Sequence, residues 1–275
     1  MARQTLKPPF EYYGGKATLA PQIAGILPDH DHYVEPFAGG LSVLLAKPMS
    51  RAETVNDLDG DLVTFWRVLR DQPEELERVC AMTPHSREEF ALAQDRSGVD
   101  DLERARRVFV VLTQGREHSL KPASETSWRY TKGAKRESGS TPAQRIWSNH
   151  RRLASIAARL QVVSIENRDA VDVIRQYGSE PTVCIYADPP YLGSTRGGGY
   201  GVEMLDDGAH SELADALNEC KASVVLSGYA SPLYEELFDG WHRCELKAPN
   251  NQAGQKSQNE VLWSNVPIGD QNPLF

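Results

Sequence analysis

Strand-like and helix-like segments alternate along this chain, stop alternating, and then resume, and this interruption restricts the fold more than any other feature. Apolar runs at 32–36 (HYVEP) and 52–56 (AETVN) read as strands. Helices are predicted at 18–27, at 41–47 and at 58–70, where Leu58, Leu62, Phe65 and Leu69 recur at helical spacing. The alternation returns with strands predicted at 160–165, 182–187, 222–227, 242–247 and 259–264 and helices at 169–177, 207–220 and 231–238. This order is the signature of a parallel sheet with crossover helices. The stretch between has no strand pattern. Residues 73–80, 86–95 and 100–114 read as helices, and 115–142 is polar with little periodicity. Residues 143–159 read as one helix with Ile146, His150, Leu153 and Ala157 on a shared face. The expectation is one α/β sheet domain, 1–75 and 159–275, interrupted by a mostly helical insert, 76–158, with no internal repeat.

The 275 residues, 40% hydrophobic, suffice to bury a core without staples and exclude a disordered chain, a collagen-like fibre and a coiled coil. No apolar run approaches the ~18 residues of a membrane span. Met1 to Pro9 lacks the apolar stretch of a signal peptide, so the expected location is the cytoplasm. Cys80, Cys184, Cys220 and Cys244 are far apart, with neither metal-ligand nor redox spacing, and read as reduced structural cysteines. No bound metal is expected.

A formal net charge of −8 argues, as an average, against nucleic acid. The distribution argues the other way. Arg104 to Arg159 holds 13 Lys/Arg against 3 Asp/Glu, a net of +10, while the rest holds 17 against 35, a net of −18. Within the basic block, Trp128, Tyr130 and Trp147 interleave with Arg116, Arg129, Lys132, Lys135 and Arg136. Basic groups neutralise phosphates and aromatic rings contact bases, so Arg116, Trp128, Arg129, Tyr130, Lys132, Lys135 and Arg136 form a candidate nucleic-acid surface. The alternative is a solvated face.

Asp188-Pro189-Pro190-Tyr191 follows a strand of buried character, at the end of the sheet where α/β proteins bind ligands. Neither proline has an N–H, so the turn exposes acceptors and few donors. One carboxylate and one carbonyl aimed at a common point form a receptor for an amine with two N–H bonds, and Tyr191 offers a flat ring beside it. The alternative is a rigid acidic turn. A second site lies at Glu35-Pro36-Phe37-Ala38-Gly39-Gly40, where small residues let a ligand approach the backbone at a helix N-terminus. Asp57 ends the next strand at about the offset of a ribose-binding carboxylate. Neither GxGxxG nor a P-loop is present. Asp169 is a third acidic candidate and equally a helix N-cap. Tyr12-Tyr13-Gly14-Gly15-Lys16 offers an aromatic and a cation, or a plain Gly-Gly turn.

These residues together resemble the Dam-like N6-adenine DNA methyltransferases of the α motif order. The match runs through Tyr12, Gly14-Gly15-Lys16, Glu35-Pro36-Phe37-Ala38-Gly39, Asn56-Asp57, Asp169, Asp188-Pro189-Pro190-Tyr191, His210 and Asn259-Glu260-Val261-Leu262-Trp263, in family order. The resemblance implies a Rossmann-like S-adenosylmethionine-dependent methyltransferase sheet, S-adenosylmethionine as donor and no metal. It places Tyr12, Lys16, Glu35, Phe37, Ala38, Gly39, Asp57, Asp169 and Asp188 at the donor, with Asp188, Pro189, Pro190 and Tyr191 at the chemistry. The insert corresponds to a target-recognition domain, and the partner is double-stranded DNA met by a monomer or weak dimer. Leu41 departs from the family, which carries a second glycine at that position. The insert lacks the segments that GATC-reading members use, so the target sequence stays open.

The expected chemistry is methylation of a flipped adenine, with Asp188 and the Pro189 carbonyl accepting the amine hydrogens and Tyr191 stacking on the base. Gly197, Gly198, Gly199 and Gly201 suggest a flap or an ordinary flexible loop. Alternatives are an N4-cytosine or RNA methyltransferase and a catalytically silent DNA-binding protein of the same fold. Glutamine methyltransferases of proteins carry Asn in place of Asp188 and leave the basic insert unexplained.

Overall fold

The structure is a computed structural model that describes residues 5–121, 127–131, 141–191, 204, 207–246 and 259–268. The apolar run Val183-Cys184-Ile185-Tyr186-Ala187 is buried at every position and forms the central strand. Among the described residues seven strands make one sheet: β1 (His32–Glu35), β2 (Ala52–Asn56), β3 (Ser164–Glu166), β4 (Val183–Ala187), β5 (Ser223–Gly228), β6 (His242–Leu246) and β7 (Glu260–Ser264). Their order is β3-β2-β1-β4-β5-β7-β6. The first five pair in parallel, and β7 runs antiparallel to β5 and β6. The order reverses between β1 and β4, which makes their carboxyl ends the topological switch point of the sheet.

Alternation sends side chains to two cores. Tyr33 and Tyr186 enter one face with α1 (Ala20–Ile26), α2 (Ser42–Ala46) and α3 (Gly60–Asp71). Val34, Ile185, Val224 and Leu226 enter the other with α9 (Ala170–Tyr177), α10 (Asp207–Asn218) and α11 (Pro232–Leu237). The helices of the strand-free stretch are α4 (Pro73–Met82), α5 (Arg87–Leu92), α6 (Asp101–Gln114), α7 (Pro142–His150) and α8 (Leu153–Leu160). Their apolar faces continue the first core: Leu76, Cys80, Val108, Phe109, Ile146, Leu153 and Ile156 belong to one buried cluster with Phe65 and Trp66 of α3. Asp59 and Asp100 cap α3 and α6, and Thr141 with Gln144 closes a capping box at α7.

The helix expected over 143–159 is two helices. The Arg152 N–H donates to the Asn149 carbonyl at 3.1 Å, a tight turn in place of a continuing α-helical bond. The Arg152 guanidinium donates to the Pro8 carbonyl at 3.0 Å. The strand expected over 160–165 begins only at Ser164, because Leu160 ends α8 and its carbonyl accepts the Val163 N–H at 3.0 Å. All four cysteines are free, with Cys80 and Cys184 buried. Among the described residues no helix is long and apolar enough to cross a membrane.

Arg159 of α8, Glu53 of β2 and Lys47 after α2 form a buried ionic triad. Glu53 accepts Lys47 Nζ at 2.7 Å and the Arg159 guanidinium at 2.5 and 2.8 Å. Burial opposes ionisation of Glu53, and the two cations outweigh it and hold the carboxyl below its ordinary range. Its folded pKa is lowered, so this stability is present above about pH 4.5 and lost as the pH falls through the folded value. Glu53→Ala strands two buried cations and is expected to cost about 3–5 kcal/mol in urea unfolding at pH 7.

Leu41 precedes α2 at φ 56°, ψ 29°, the left-handed region that a glycine adopts freely, while its side chain is fully buried. Left-handed backbone costs a leucine about 1–2 kcal/mol, and losing a buried leucine side chain costs about 2–5 kcal/mol. Packing wins, so Leu41→Gly is expected to lower unfolding stability by about 1–3 kcal/mol. A more stable glycine variant would show that strain dominates.

Candidate active site

A cavity of about 400 Å³ opens at the carboxyl ends of β1 to β4, within the range of small-molecule sites. Tyr12, Lys16, Glu35, Phe37, Ala38 and Gly39 line one part of it. Asp57, Asp169, Asp188 and Pro190 line the rest. Every residue expected at a donor site therefore meets in one place.

The glycine turn after β1 is built by cross-strand bonds. The Gly39 N–H donates to Asp57 Oδ2 at 2.8 Å, and the Trp66 indole donates to the Gly39 carbonyl at 3.1 Å. Gly39 sits at φ +47°, and a Cβ there would lie 3.2 Å from the Tyr12 ring that covers the turn. Asn56 clamps three strand ends: its amide donates to the Pro36 and Arg168 carbonyls at 2.9 and 3.0 Å and accepts the Arg168 N–H at 2.9 Å. Asp57 Oδ1 accepts the Asp59 N–H at 3.0 Å. Burial pushes the Asp57 carboxyl up to about 6, against the Asp59 and Gly39 N–H groups. Burial also pushes Glu35 up to about 8, against the Tyr33 hydroxyl bond of 2.9 Å, and the nearby Asp188 charge adds to the rise. Asp169 does both things expected of it: it caps α9 through the Val171 N–H at 2.8 Å and lines the cavity.

Asp188 stands where β4 ends, at the centre of a polar cluster. Lys16 Nζ donates to Asp188 Oδ1 at 2.6 Å, and Ser227 Oγ donates to the same oxygen at 2.8 Å. Tyr186 and Ser227 share a hydrogen bond of 3.1 Å. Lys16 also donates to the Tyr191 hydroxyl, which donates to Glu260 at 3.0 Å. Burial alone would lower the Lys16 pKa; the Asp188 and Glu260 carboxylates outweigh it and hold the ammonium above its ordinary value. Pro189 is buried and does not line the cavity. The Tyr191 ring is not an open platform: it is 6% exposed and stacks on Tyr229 at 4.4 Å between centroids. Its hydroxyl explains this, since the bonds to Lys16 and Glu260 draw it inward. His210 is a satisfied core histidine between Tyr234 and the Met204 carbonyl.

Of the expected nucleic-acid residues, Arg116, Trp128, Arg129 and Tyr130 come together beyond the end of α6, where Gly115 and Trp128 form an antiparallel bridge. Trp128 stacks between His85 and Tyr130 at 4.7 and 5.8 Å, with Arg87 over both Trp128 and Tyr130 and Arg116 over Tyr130. Arg129 reaches His118 at 2.6 Å. Lys132, Lys135, Arg136 and the glycines 197–199 and 201 lie outside the described residues. Not all of the basic block is available to a ligand. Arg104 pairs with Asp61, Arg106 and Arg107 with Glu103, and Arg159 with Glu53.

Sequence reasoning assigned no role to Ser227, Arg87, His85 or Glu260. Ser227 and Glu260 each sit in an apolar strand run, and such a buried polar position is the signal that points to them. Among the described residues no group of three or more His, Cys, Asp and Glu could hold a metal ion.

The model of the D12 class N6 adenine-specific DNA methyltransferases matches residues 12–251, from the Tyr12 turn past Asp188. The chain is 24% identical over 270 residues to type II methyltransferase M1.LlaDCHI of Lactococcus lactis subsp. cremoris, covering 92% of this chain and 91% of that one. With the glycine turn and the Asp188 turn facing one cavity, the chain belongs to the D12 class N6 adenine-specific DNA methyltransferases.

Proposed function

We propose that this adenine-specific DNA methyltransferase holds S-adenosylmethionine in the cavity between β1 and β4 and receives the N6 amine of a flipped adenine at Asp188. The observation that carries this reading is the meeting of Asp188 with the glycine turn across the switch point. The lining suits a donor that is cationic at sulfur and carries an adenosyl group. Glu35, Asp57, Asp169 and Asp188 supply acidic groups, Tyr12 and Phe37 supply flat apolar surface, and Gly39 admits close approach. When bound, the donor supplies an electrophilic methyl group on a sulfonium. Asp57 is the ribose partner in this reading and also shapes the glycine turn.

Extruding the base from the duplex costs a few kcal/mol. Asp188 accepts one amine hydrogen, and the Pro189 carbonyl, which does not line the cavity as it stands, must turn towards it to accept the other; the nitrogen lone pair then faces the methyl group, and alignment and fixed charge supply much of the rate. Both hydrogen bonds to Asp188 from described residues end on Oδ1, so Oδ2 is the oxygen assigned to the amine. Tyr191 holds Lys16 behind the carboxylate, and stacking on the base requires its ring to part from Tyr229. Residues 76–158 serve as the target-recognition segment on double-stranded DNA. The stack of Arg87, Trp128, Tyr130 and Arg116 supports this, and Lys132, Lys135 and Arg136 continue it along the chain. The setting is the cytoplasm, and the type II relative supports a role beside a restriction endonuclease.

Asp188→Ala is expected to cut methyl transfer to DNA by about 100-fold or more at saturating donor, with donor binding still measurable by calorimetry. Full activity in that variant removes Asp188 from the chemistry, and digestion of the wild-type DNA product should release N6-methyl-2′-deoxyadenosine rather than N4-methyl-2′-deoxycytidine. Replacing Arg116 and Arg129 with Ala should flatten the dependence of log K on log salt by about 0.9 for each phosphate that these side chains neutralise. An unchanged slope would place the DNA elsewhere.

A further inference from the structure

Behind the Asp188 turn lies a group that the reaction as described does not use. Glu260 opens β7, is 5% exposed, and is held by the Tyr191 hydroxyl at 3.0 and 3.2 Å and by Lys16 Nζ at 3.5 Å. Lys16 bridges from there to Asp188 at 2.6 Å and to the Tyr191 oxygen. Asp188, Lys16, Tyr191 and Glu260 are thus one continuous hydrogen-bonded path leading from the cavity into the sheet. A buried carboxylate is costly and persists where charge balance requires it.

Methylation creates such a requirement. As the N6 lone pair forms the new C–N bond, the S–C bonding pair remains on sulfur. The positive charge moves to N6, which holds one proton too many. We propose that Glu260 is the terminal acceptor of that proton, reached through Lys16 and Tyr191; this rests on the reading of Asp188 as the amine receptor. The proton passes from N6 to Asp188. Lys16 gives a proton to the Tyr191 oxygen as Tyr191 gives its own to Glu260, and Lys16 regains one from Asp188. Asp188, Lys16 and Tyr191 end as they began, and Glu260 alone ends protonated until the products leave. The cluster holds one ammonium against two carboxylates, so its one excess negative charge faces the cation, first at sulfur and then at N6, and is neutralised when the proton reaches Glu260.

Among the described residues, the titratable groups around Glu260 lie on two parts of the chain. Lys16 faces it from the N-terminal segment, and Asp188, Tyr191 and Tyr186 face it from β4 and the turn that follows. Its partner on β6 is Leu246, and on the β5 side the next register pair is Val261 with Gly228. Burial pushes its carboxyl up to about 7, with Lys16 opposing and Asp188 adding. That value suits a group that must gain and lose a proton near neutrality.

The test is Glu260→Gln, which keeps shape and removes the acceptor. Single-turnover methylation should fall by about 100-fold on the plateau. The acid limb of the wild-type pH–rate profile, where Glu260 is already protonated, should vanish. Calorimetric affinity for S-adenosylmethionine should stay within about threefold. Tyr191→Phe cuts the hydroxyl link without touching β7 and should give the same defect, with the double variant no worse than either single one. It also serves if Glu260→Gln does not fold. An intact acid limb in Glu260→Gln overturns the proposal, as does a rate loss matched by an equal loss of donor affinity, which is what a structural role predicts. Full activity of Asp188→Ala would instead overturn the receptor reading, so the two failures are distinct.

Discussion

The parallel pairing of β1 with β4 is the constraint on which the rest of the site depends. His32 pairs with Val183, Tyr33 with Cys184 and Val34 with Ile185, so the two strands end within one residue of each other. Glu35 and the glycine turn leave one strand, and Asp188 leaves its neighbour. In a parallel sheet neighbouring strands lie about 4.8 Å apart, so two turns from chain segments some 150 residues apart share one wall of a cavity. Because the strand order reverses there, the crossover helices diverge to opposite faces and leave the crevice open. The Asn56 amide then ties the ends of β1, β2 and β3 together, which fixes the height of the Asp57 and Asp169 carboxylates relative to the turn.

Charge is arranged by depth as well as along the chain. The basic stretch from Arg104 to Arg159 divides into groups with different tasks. Arg159 reaches Glu53 beneath the sheet, and Arg104 reaches Asp61 on α3, so these cations fasten the helical segment to the sheet. Arg116 and Arg129 stay by the aromatic stack. A count along the sequence cannot separate the two kinds, because both look like arginine in a basic run. Their partners separate them: the carboxylates that hold Arg159 and Arg104 come from β2 and α3, far along the chain from either arginine.

Much of this was legible before the fold was known, for physical reasons. Strand runs such as VCIYA and the amphipathic period of Leu62, Phe65 and Leu69 are local signals, and both elements form where expected. Asp188 and the glycine turn were legible because each follows a strand, and strand ends meet at one edge of a parallel sheet. The break between α7 and α8 was not legible, because the apolar spacing continues through Arg151 and Arg152 while the hydrogen bonding does not. Nor was the inward position of Tyr191, which depends on Lys16 and Glu260, 175 and 69 residues away. Leu41 illustrates a third case. It stands where the resemblance expects a glycine, its backbone is in the left-handed region that a glycine adopts freely, and the packing of its buried side chain offsets the strain.

On the proposed reading, the helical segment also sets where a base can arrive. Four of its helices, α4, α6, α7 and α8, share one buried cluster with α3 and the sheet. A second tie runs through the chain that carries Lys16. The Tyr13 N–H donates to the His118 carbonyl at 2.9 Å, and His118 is bonded to both Glu11 and the Arg129 guanidinium. The basic surface and the lysine on Asp188 are therefore joined by a few short bonds as well as by the core. If Asp188 receives an extruded base as proposed, these ties serve the reaction, because alignment is lost with any play between the surface that holds the DNA and the carboxylate that meets the base.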